Sequence, residues 1–330
     1  MTEFDMIARY FVPLTQGRAE TEDLKNDAAI FDIPDGFQTV VTSDTLNAGV
    51  HFLPDQPPAT IAQKALRTNL SDLAAMGATP YCYQLCLSLP DLSELPEEWL
   101  QDFCSGLAED QKRYNIFLSG GDTTRVSQGG MVSVSITAIG LVEAGKALRR
   151  STAKAGDLIV LTGCVGDAYC GLRMRQNTLQ PSIERCIALY HVPDPPIAPV
   201  RDLVKFATAC IDVSDGVIAD LRHMAQASNL QAEINLRSIH FSSDVEKLLA
   251  QNLVSFEDVL TGGDDYQLLM AVPSNKYGAL RIYMEETYNL TVQAIGAFAA
   301  RETSLAGEPV RVLDRNGAPL QFTKTGWQHF

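Results

Sequence analysis

The chain has 330 residues and a formal net charge of -14, with 46% hydrophobic and 20% charged residues. That length suggests about two domains of roughly 150 residues each, and the composition is ordinary for a globular protein. The acidic balance disfavours nucleic acid and anionic membrane as partners, because both require a basic footprint. No long apolar run is present, so no transmembrane span is expected. The opening MTEFDMIARYF carries Glu3 and Asp5 where a leader would be basic, and no signal peptide is expected. Seven cysteines without CxxC spacing read as buried reduced thiols, which points to the cytoplasm.

In chain order, a strand is expected over 37–45 (FQTVVTSDT) and a helix over 59–77, ending at Gly77. A strand over 81–89 follows. An amphipathic helix over 96–113 then starts at Pro96, a residue suited to a first turn. Strands are expected at 116–119 and 131–142. The basic, turn-rich ALRRSTAKAGD (147–157) places a domain boundary near 148. The second half reads as strand 158–162, helix 166–176, a stiff proline-rich stretch over 191–199, strand 209–213, helix 216–228, strand 265–272, helix 276–288 and strand 291–298. The alternation predicts two α/β units of similar size.

Several local patterns are decoys. GLVEAGKA (140–147) has GxxxxGK spacing, but Ala147 stands where a P-loop needs Ser or Thr, and a plain turn is the better reading. GCVGDAYCG (163–171) is not GxGxxG; it reads as a loop entering a helix, with phosphate binding as the sharper alternative. The five histidines have no HxxxH spacing, so no zinc site is expected. His191, His223, His240 and His329 read as surface or structural residues.

The informative pattern is a recurrence of acids. Apolar stretches run into small residues and then Asp: Ser43 and Asp44 in VVTSD, Gly120, Gly121 and Asp122 in IFLSGGD, Asp212, Ser214 and Asp215 in CIDVSDG, and Asp264 and Asp265 in VLTGGDD. Asp27 lies in KNDAAI, and Asp72 shares a helix face with Asn69 at i, i+3. One such Asp is usually a cap or a turn residue. Acids at the ends of separate strands are expected to converge at one sheet edge, where they would repel one another unless cations sat among them. Short oxygen ligands suit magnesium, and magnesium suits phosphates. The neighbouring glycines let backbone N–H groups approach phosphate oxygens. Arg149 or Arg150 supplies a direct positive charge.

The stretches TSDTLNAGVHF (42–52), ALRTNLSDLAAMGATP (65–80), LSGGDTTR (118–125), IDVSDGVIADL (211–221), TGGDDYQLL (261–269) and GWQHF (326–330), in this order, resemble the thiamine-monophosphate kinase family nearly end to end. The resemblance implies the two-domain α/β (α+β) fold of aminoimidazole ribonucleotide synthetase and a homodimer through the N-terminal sheets. Residues 1–148 would form the ATP- and magnesium-binding, dimerising domain, and 149–330 the C-terminal α/β domain. It implies ATP-dependent phosphorylation of thiamine monophosphate to thiamine diphosphate. It further implies that Asp27, Ser43, Asp44, Asp72, Asp122, Asp212 and Asp215 hold several magnesium ions, with Asp44, Asp122 and Asp215 central to catalysis. Gly121, Asp122, Arg150 and Ser214 would touch ATP, and His51, Asp264 and Trp327 would meet thiamine monophosphate. The chain departs from the family pattern at Asn26, which precedes Asp27 where paired acids are usual. Further departures are GGDDYQ for GGEDYE, VPDPPI (192–197) for an arginine-bearing segment, and TAKAGD (152–157) for GAKPGD. Two alternatives stand beside this reading: another ATP-dependent enzyme of the same superfamily, and a nucleotide-binding regulatory protein without turnover.

Overall fold

The computed structural model describes residues 3–96, 98–127, 129–301, 308–324 and 326–327. The chain divides into two compact units, Met1–Leu73 with Ala78–Gly145, and Ala74–Gly77 with Lys146–Phe330.

The first unit is built on a four-stranded sheet of β1 (Phe37–Asn47), β2 (Thr79–Leu89), β3 (Phe117–Arg125) and β4 (Ser133–Glu143), in the order β1-β4-β2-β3. Only the β2–β3 pair is parallel. Side chains alternate across a strand, and the sequence uses both faces. Val134, Ile136, Ala138 and Val142 of β4 are buried, while Thr39, Val41, Ser43 and Thr45 of β1 are exposed on the opposite side. The helix Pro58–Ala75 lies over the buried face. A Cβ at Gly140 of β4 would lie 3.1 Å from Leu73, and the backbone N–H of Asp44 donates to Asn69 Oδ1 at 3.2 Å.

The helix Trp99–Tyr114 packs on the first so closely that a Cβ at Gly106 would lie 2.2 Å from the Ala59 carbonyl oxygen. Arg67 clamps Asp110 between these two helices with two N–H donors at 2.7 Å each, and Gln63 adds a third at 3.2 Å. Both ions are buried, so this pair is satisfied by direct geometry and not by water.

The GGD motif differs from the reading above. The strand expected over 116–119 continues to Arg125, so Gly120, Gly121 and Asp122 lie inside β3. Glycine is a poor strand residue, and a bulge explains its use here. Tyr83 pairs with Leu118 and Gln84 with Gly120, leaving Ser119 as the extra residue, whose hydroxyl donates to the Tyr83 carbonyl. Past the bulge β3 runs against β2 so tightly that a Cβ at Gly121 would sit 1.9 Å from the Leu85 carbonyl oxygen.

The second unit carries a seven-stranded sheet of β5 (Asp157–Thr162), β6 (Ala209–Asp212), β7 (Leu230–Asn235), β8 (Leu268–Pro273), β9 (Val292–Ala300), β10 (Val310–Leu313) and β11 (Pro319–Leu320), in the order β11-β10-β7-β9-β5-β8-β6. All neighbours are antiparallel except β10 and β7, so the unit is α+β. Ile159, Leu161, Ile211, Val213, Leu269 and Ile295 belong to its core. The reading above assigns no element over 177–190, 229–264 or after 298. The structure has the helices Glu184–His191, Ser243–Ala250 and Phe256–Thr261 there, with β7, β10 and β11. Each is too short for its periodicity to stand out. β8 begins at Leu268, three residues later than expected, which leaves 262–267 as an irregular loop. After β4 the chain turns at Gly145 and no helix follows Lys146, so the GxxxxGK spacing is a turn.

Gly106→Ala should destabilise the protein by about 1–3 kcal/mol, the usual cost of overpacking. The added methyl meets backbone and not a movable side chain. Urea unfolding checks this, and wild-type stability in the variant would refute the close helix contact.

Candidate functional site

The sequence-derived acids do not gather at one sheet edge. Asp44 and Asp122 belong to the four-stranded sheet and Asp212 to the seven-stranded one. Within the first unit, β1 and β3 are the two edge strands. Register runs from Asp44 through Ile136 and Leu85 to Gly121, three strand spacings or roughly 14 Å. Asp122 falls one row further, with Thr45, Ser135 and Cys86, on the exposed face. Asp44 faces the helix.

Around Asp44 the helix supplies polar partners. The Thr42 hydroxyl donates to Asp72 Oδ2 at 2.5 Å, and Asn69, fully buried and donating its own amide to the Ala65 carbonyl, accepts the Asp44 N–H. Burial and the neighbouring Asp72 carboxylate push the Asp44 carboxyl up to about 6, against a smaller opposing effect of the Thr68 hydroxyl. Ser43 turns the other way, as adjacent strand residues must, and its hydroxyl meets Thr137 Oγ1 at 3.0 Å. His51 sits in the turn after β1, where its Nδ1 accepts the Asn47 N–H at 3.0 Å.

At the other edge a cleft of about 390 Å³ brings together Asn26, Asp27, Gly120, Gly121, Asp122 and the Cys86 side of β2. Asn26 ties the segment down by donating to Glu22 Oε2 at 2.9 Å and accepting the Asp27 N–H at 3.2 Å. A second cavity of about 700 Å³ shares Thr123 with it and is walled by Tyr10, Trp99, Leu100, Thr124 and Arg125. The cysteines are all free, but Cys86 is exposed and Cys164 half-buried, which corrects the expectation that every thiol is buried. Cys86 alternates outward with Gln84 in β2.

In the second unit Asp212 ends β6, and Ser214 and Asp215 lead into the helix Val217–Ala227. Two loops are zipped here. Asp264 N–H donates to the Ser214 carbonyl and Tyr266 N–H to the Val213 carbonyl, both at 2.8 Å, and Val213 N–H returns to the Gln267 carbonyl at 2.7 Å. Trp327 N–H donates to the Asp215 carbonyl at 3.1 Å, and its side chain is 49% exposed. Asp264, Trp327, Ser214 and Asp215 are thus assembled. Residues 328–330 of GWQHF, with His329, lie outside the described residues. Arg150 is not part of this assembly. Its carbonyl accepts from Ser228 at the far end of the helix, and eleven helical residues span roughly 16 Å.

Sequence reasoning missed Asp220 and gave no special role to Asp265. Asp220 lies one turn into the helix and accepts the N–H groups of Asp215 and Gly216 at 3.1 Å each. Burial, then the charges of Asp212 and Asp215, hold its carboxyl well above the usual range. A lone acid inside the apolar run VIADL was the available signal. Asp265 occupies the N–H groups at the start of the helix Asp167–Arg175, its carboxyl held well above the usual range by burial, so the glycine-rich 163–171 segment is a loop entering a helix whose first donors are already taken.

Among the described residues no three His, Cys, Asp or Glu side chains form a ready metal cage. The donor set still fits a hard cation. It consists of carboxylates and hydroxyls, and burial first, then repulsion from neighbouring carboxylates, holds Asp44 and Asp220 above the ordinary range, a penalty that a divalent ion would relieve.

That repulsion has a testable sign. The folded-state value of Asp44, about 6, lies above its ordinary 3.8. The folded state therefore binds more protons between those values, and stability rises as pH falls through that window. In EDTA, Asp44→Asn should be more stable than wild type above about pH 6, with the gap closing toward about pH 4. Magnesium should stabilise wild type more than the variant. Equal urea midpoints at every pH would refute the strained carboxylate.

The family model described as AIR synthase related protein, N-terminal domain, matches residues 25–142. Over 333 residues the chain is 38% identical to the thiamine-monophosphate kinase of Salmonella typhimurium strain LT2, covering 99% of this chain and 98% of the relative. The crystal structure of thiamine-monophosphate kinase from Stenotrophomonas maltophilia K279a matches with a TM-score of 0.82 at 36% identity, over 97% of this chain and 98% of that one. AaThiL complexed with AMPPCP and TMP matches with a TM-score of 0.77 at 26% identity, over 94% of each chain. With the two-sheet fold, the zipped acid-bearing loops and relatives alike from end to end, the chain belongs to the thiamine-monophosphate kinase family.

Proposed function

We infer that the protein transfers a phosphoryl group from ATP to thiamine monophosphate, giving thiamine diphosphate. The observation that carries this reading is the end-to-end likeness to thiamine-monophosphate kinases, including a structure complexed with AMPPCP and TMP. The assembly of Asp264 and Trp327 with Ser214 and Asp215 agrees with it. Thiamine carries a cationic thiazolium and an aromatic pyrimidine, and an exposed indole beside a carboxylate is suited to receive both.

Asp27, Ser43, Asp44, Asp72, Asp122, Asp212 and Asp215 are the residues to hold magnesium. When bound, magnesium neutralises charge on the phosphoryl oxygens. Gly121 leaves the β3 backbone open to ATP phosphates, Ser214 offers a hydroxyl, and Arg150 a guanidinium. The larger cavity beside Thr123 has room and aromatic walls for the nucleoside. The nucleophile is a substrate phosphate oxygen. With a second pKa of about 6 it is ionised near neutral pH, so no general base is required of the chain.

The homodimer has a geometric motive. Asp44 and Asp122 stand at opposite edges and on opposite faces of one sheet, too far apart to share one ion within a chain. A second copy is proposed to pack on the exposed face, where Val41 is 60% exposed. Seven free thiols suit the reducing cytoplasm.

A coupled ADP-release assay with ATP, magnesium and thiamine monophosphate, with the product identified as thiamine diphosphate, tests the reading; ADP release without that product would refute it. EDTA should abolish turnover and magnesium restore it. Asp122→Asn should lower kcat by at least about 100-fold, the scale of lost charge stabilisation. Asn26→Asp should move the magnesium dependence to lower concentration and change kcat at saturation by less than about threefold. An unmoved magnesium curve would exclude residue 26 from the metal's surroundings.

A further inference from the structure

The loop 262–267 is held in a conformation that its sequence does not favour. Gly263 has φ of 70°, Asp264 69° and Tyr266 51°. For Asp and Tyr the left-handed region is strained, and such strain persists only where the surroundings over-determine it. The backbone bonds to Ser214 and Val213 fix one side of the loop. On the other side stands Asp265. Its side chain is 8% exposed, and both carboxylate oxygens accept the Gly166 N–H, at 3.0 and 2.9 Å, with the Ala168 N–H at 3.5 Å. These donors open the helix Asp167–Arg175, whose positive end favours an anion. Gly166 alone makes the approach possible. Its φ is 89°, and a Cβ there would meet Val259 at 2.8 Å. Asp167, the first residue of that helix, does not compete, because its Oδ1 accepts from Arg185 at 2.6 Å and Ser242 at 2.7 Å.

We propose that Asp265 is a positioning residue for thiamine monophosphate: its buried carboxylate anchors the strained loop to the Gly166 and Ala168 N–H groups and thereby fixes the neighbouring Asp264 against Ser214. The two adjacent acids divide the work. Asp265 points into the protein, where burial holds its carboxyl well above the usual range and the opening N–H groups of the helix bond it, and the half-buried Asp264 is the one assigned to the acceptor. The proposal rests on the kinase reading and adds to it a residue that never touches the substrate. It also gives the glycine-rich 163–171 segment a role: its N–H groups receive the protein's own Asp265 carboxyl.

The test is calorimetric binding of thiamine monophosphate to the full-length protein, wild type against Asp265→Asn, which keeps the volume but presents an amide to the helix. The dissociation constant should rise by about tenfold or more, the scale of a lost charge-assisted bond. The KM for thiamine monophosphate should rise with it, by more than the KM for ATP. In Asp265→Ala, formate should refill the vacated position and restore part of the binding. Wild-type affinity in a folded Asp265→Asn protein, or equal loss for both substrates, overturns the proposal. Failure of wild type to bind thiamine monophosphate overturns the kinase reading instead. If neither variant folds, hydrogen exchange on wild type decides. The amides of Gly166, Ala168, Asp264 and Tyr266 should exchange as one unit and slow together when thiamine monophosphate is added, and independent exchange overturns the proposal.

Discussion

Carboxylates placed near one another repel, and burial sharpens the penalty because water no longer screens them. This structure has to hold several such groups in place all the same. It does so with neutral donors. The Thr42 hydroxyl holds Asp72, the Thr68 hydroxyl acts on Asp44, and two loop N–H groups hold Asp220 beside Asp212 and Asp215. Where an acid serves only the fold, arginine takes the other side, as with Asp110 on Arg67 and Asp167 on Arg185. A hydroxyl or amide donor fixes a carboxylate in direction without setting a full opposite charge beside it, as an arginine does.

The same division explains what was legible in the sequence. The helix Pro58–Ala75 and the apolar strand β8 follow from long periodic or continuous hydrophobic runs, and both stand close to where their patterns place them. The family's acids were legible as recurring Asp after small residues. Their grouping was not, because it depends on strand order. β1 and β3 lie at opposite edges only because β4 and β2 intervene, and no local pattern encodes that. The extension of β3 through Gly120 and Gly121 was hidden for a related reason. Glycines usually end strands, and the bulge at Ser119 that accommodates them is a relation between two strands and not a property of one.

Adjacent acids posed a different difficulty. Asp264 and Asp265 are chemically identical in the sequence, yet one is half-exposed and one buried on backbone amides. Only the positive φ values of the loop separate them, and those arise from the zipper with residues 213–215. Asp220 was the more readable case. A carboxylate between Ala219 and Leu221 on an otherwise buried helix face needs donors, and the nearest uncommitted N–H groups are those of the loop one turn back.

Strand geometry also limits what the motif TSD can do. Successive residues of β1 face opposite ways, so Thr42 and Asp44 reach the helix while Ser43 reaches the exposed face and Thr137. The Ser43 hydroxyl therefore points away from Asp44 and cannot join it at a common ion. A three-residue stretch therefore serves two surfaces at once, an acid-lined one under the helix and a hydroxyl-lined one on the exposed face. Asp122 lies on the open face in the row of Thr45 and Ser135. The acid groups of one sheet are thus split between its faces and edges, so Asp44 and Asp122 do not meet within it.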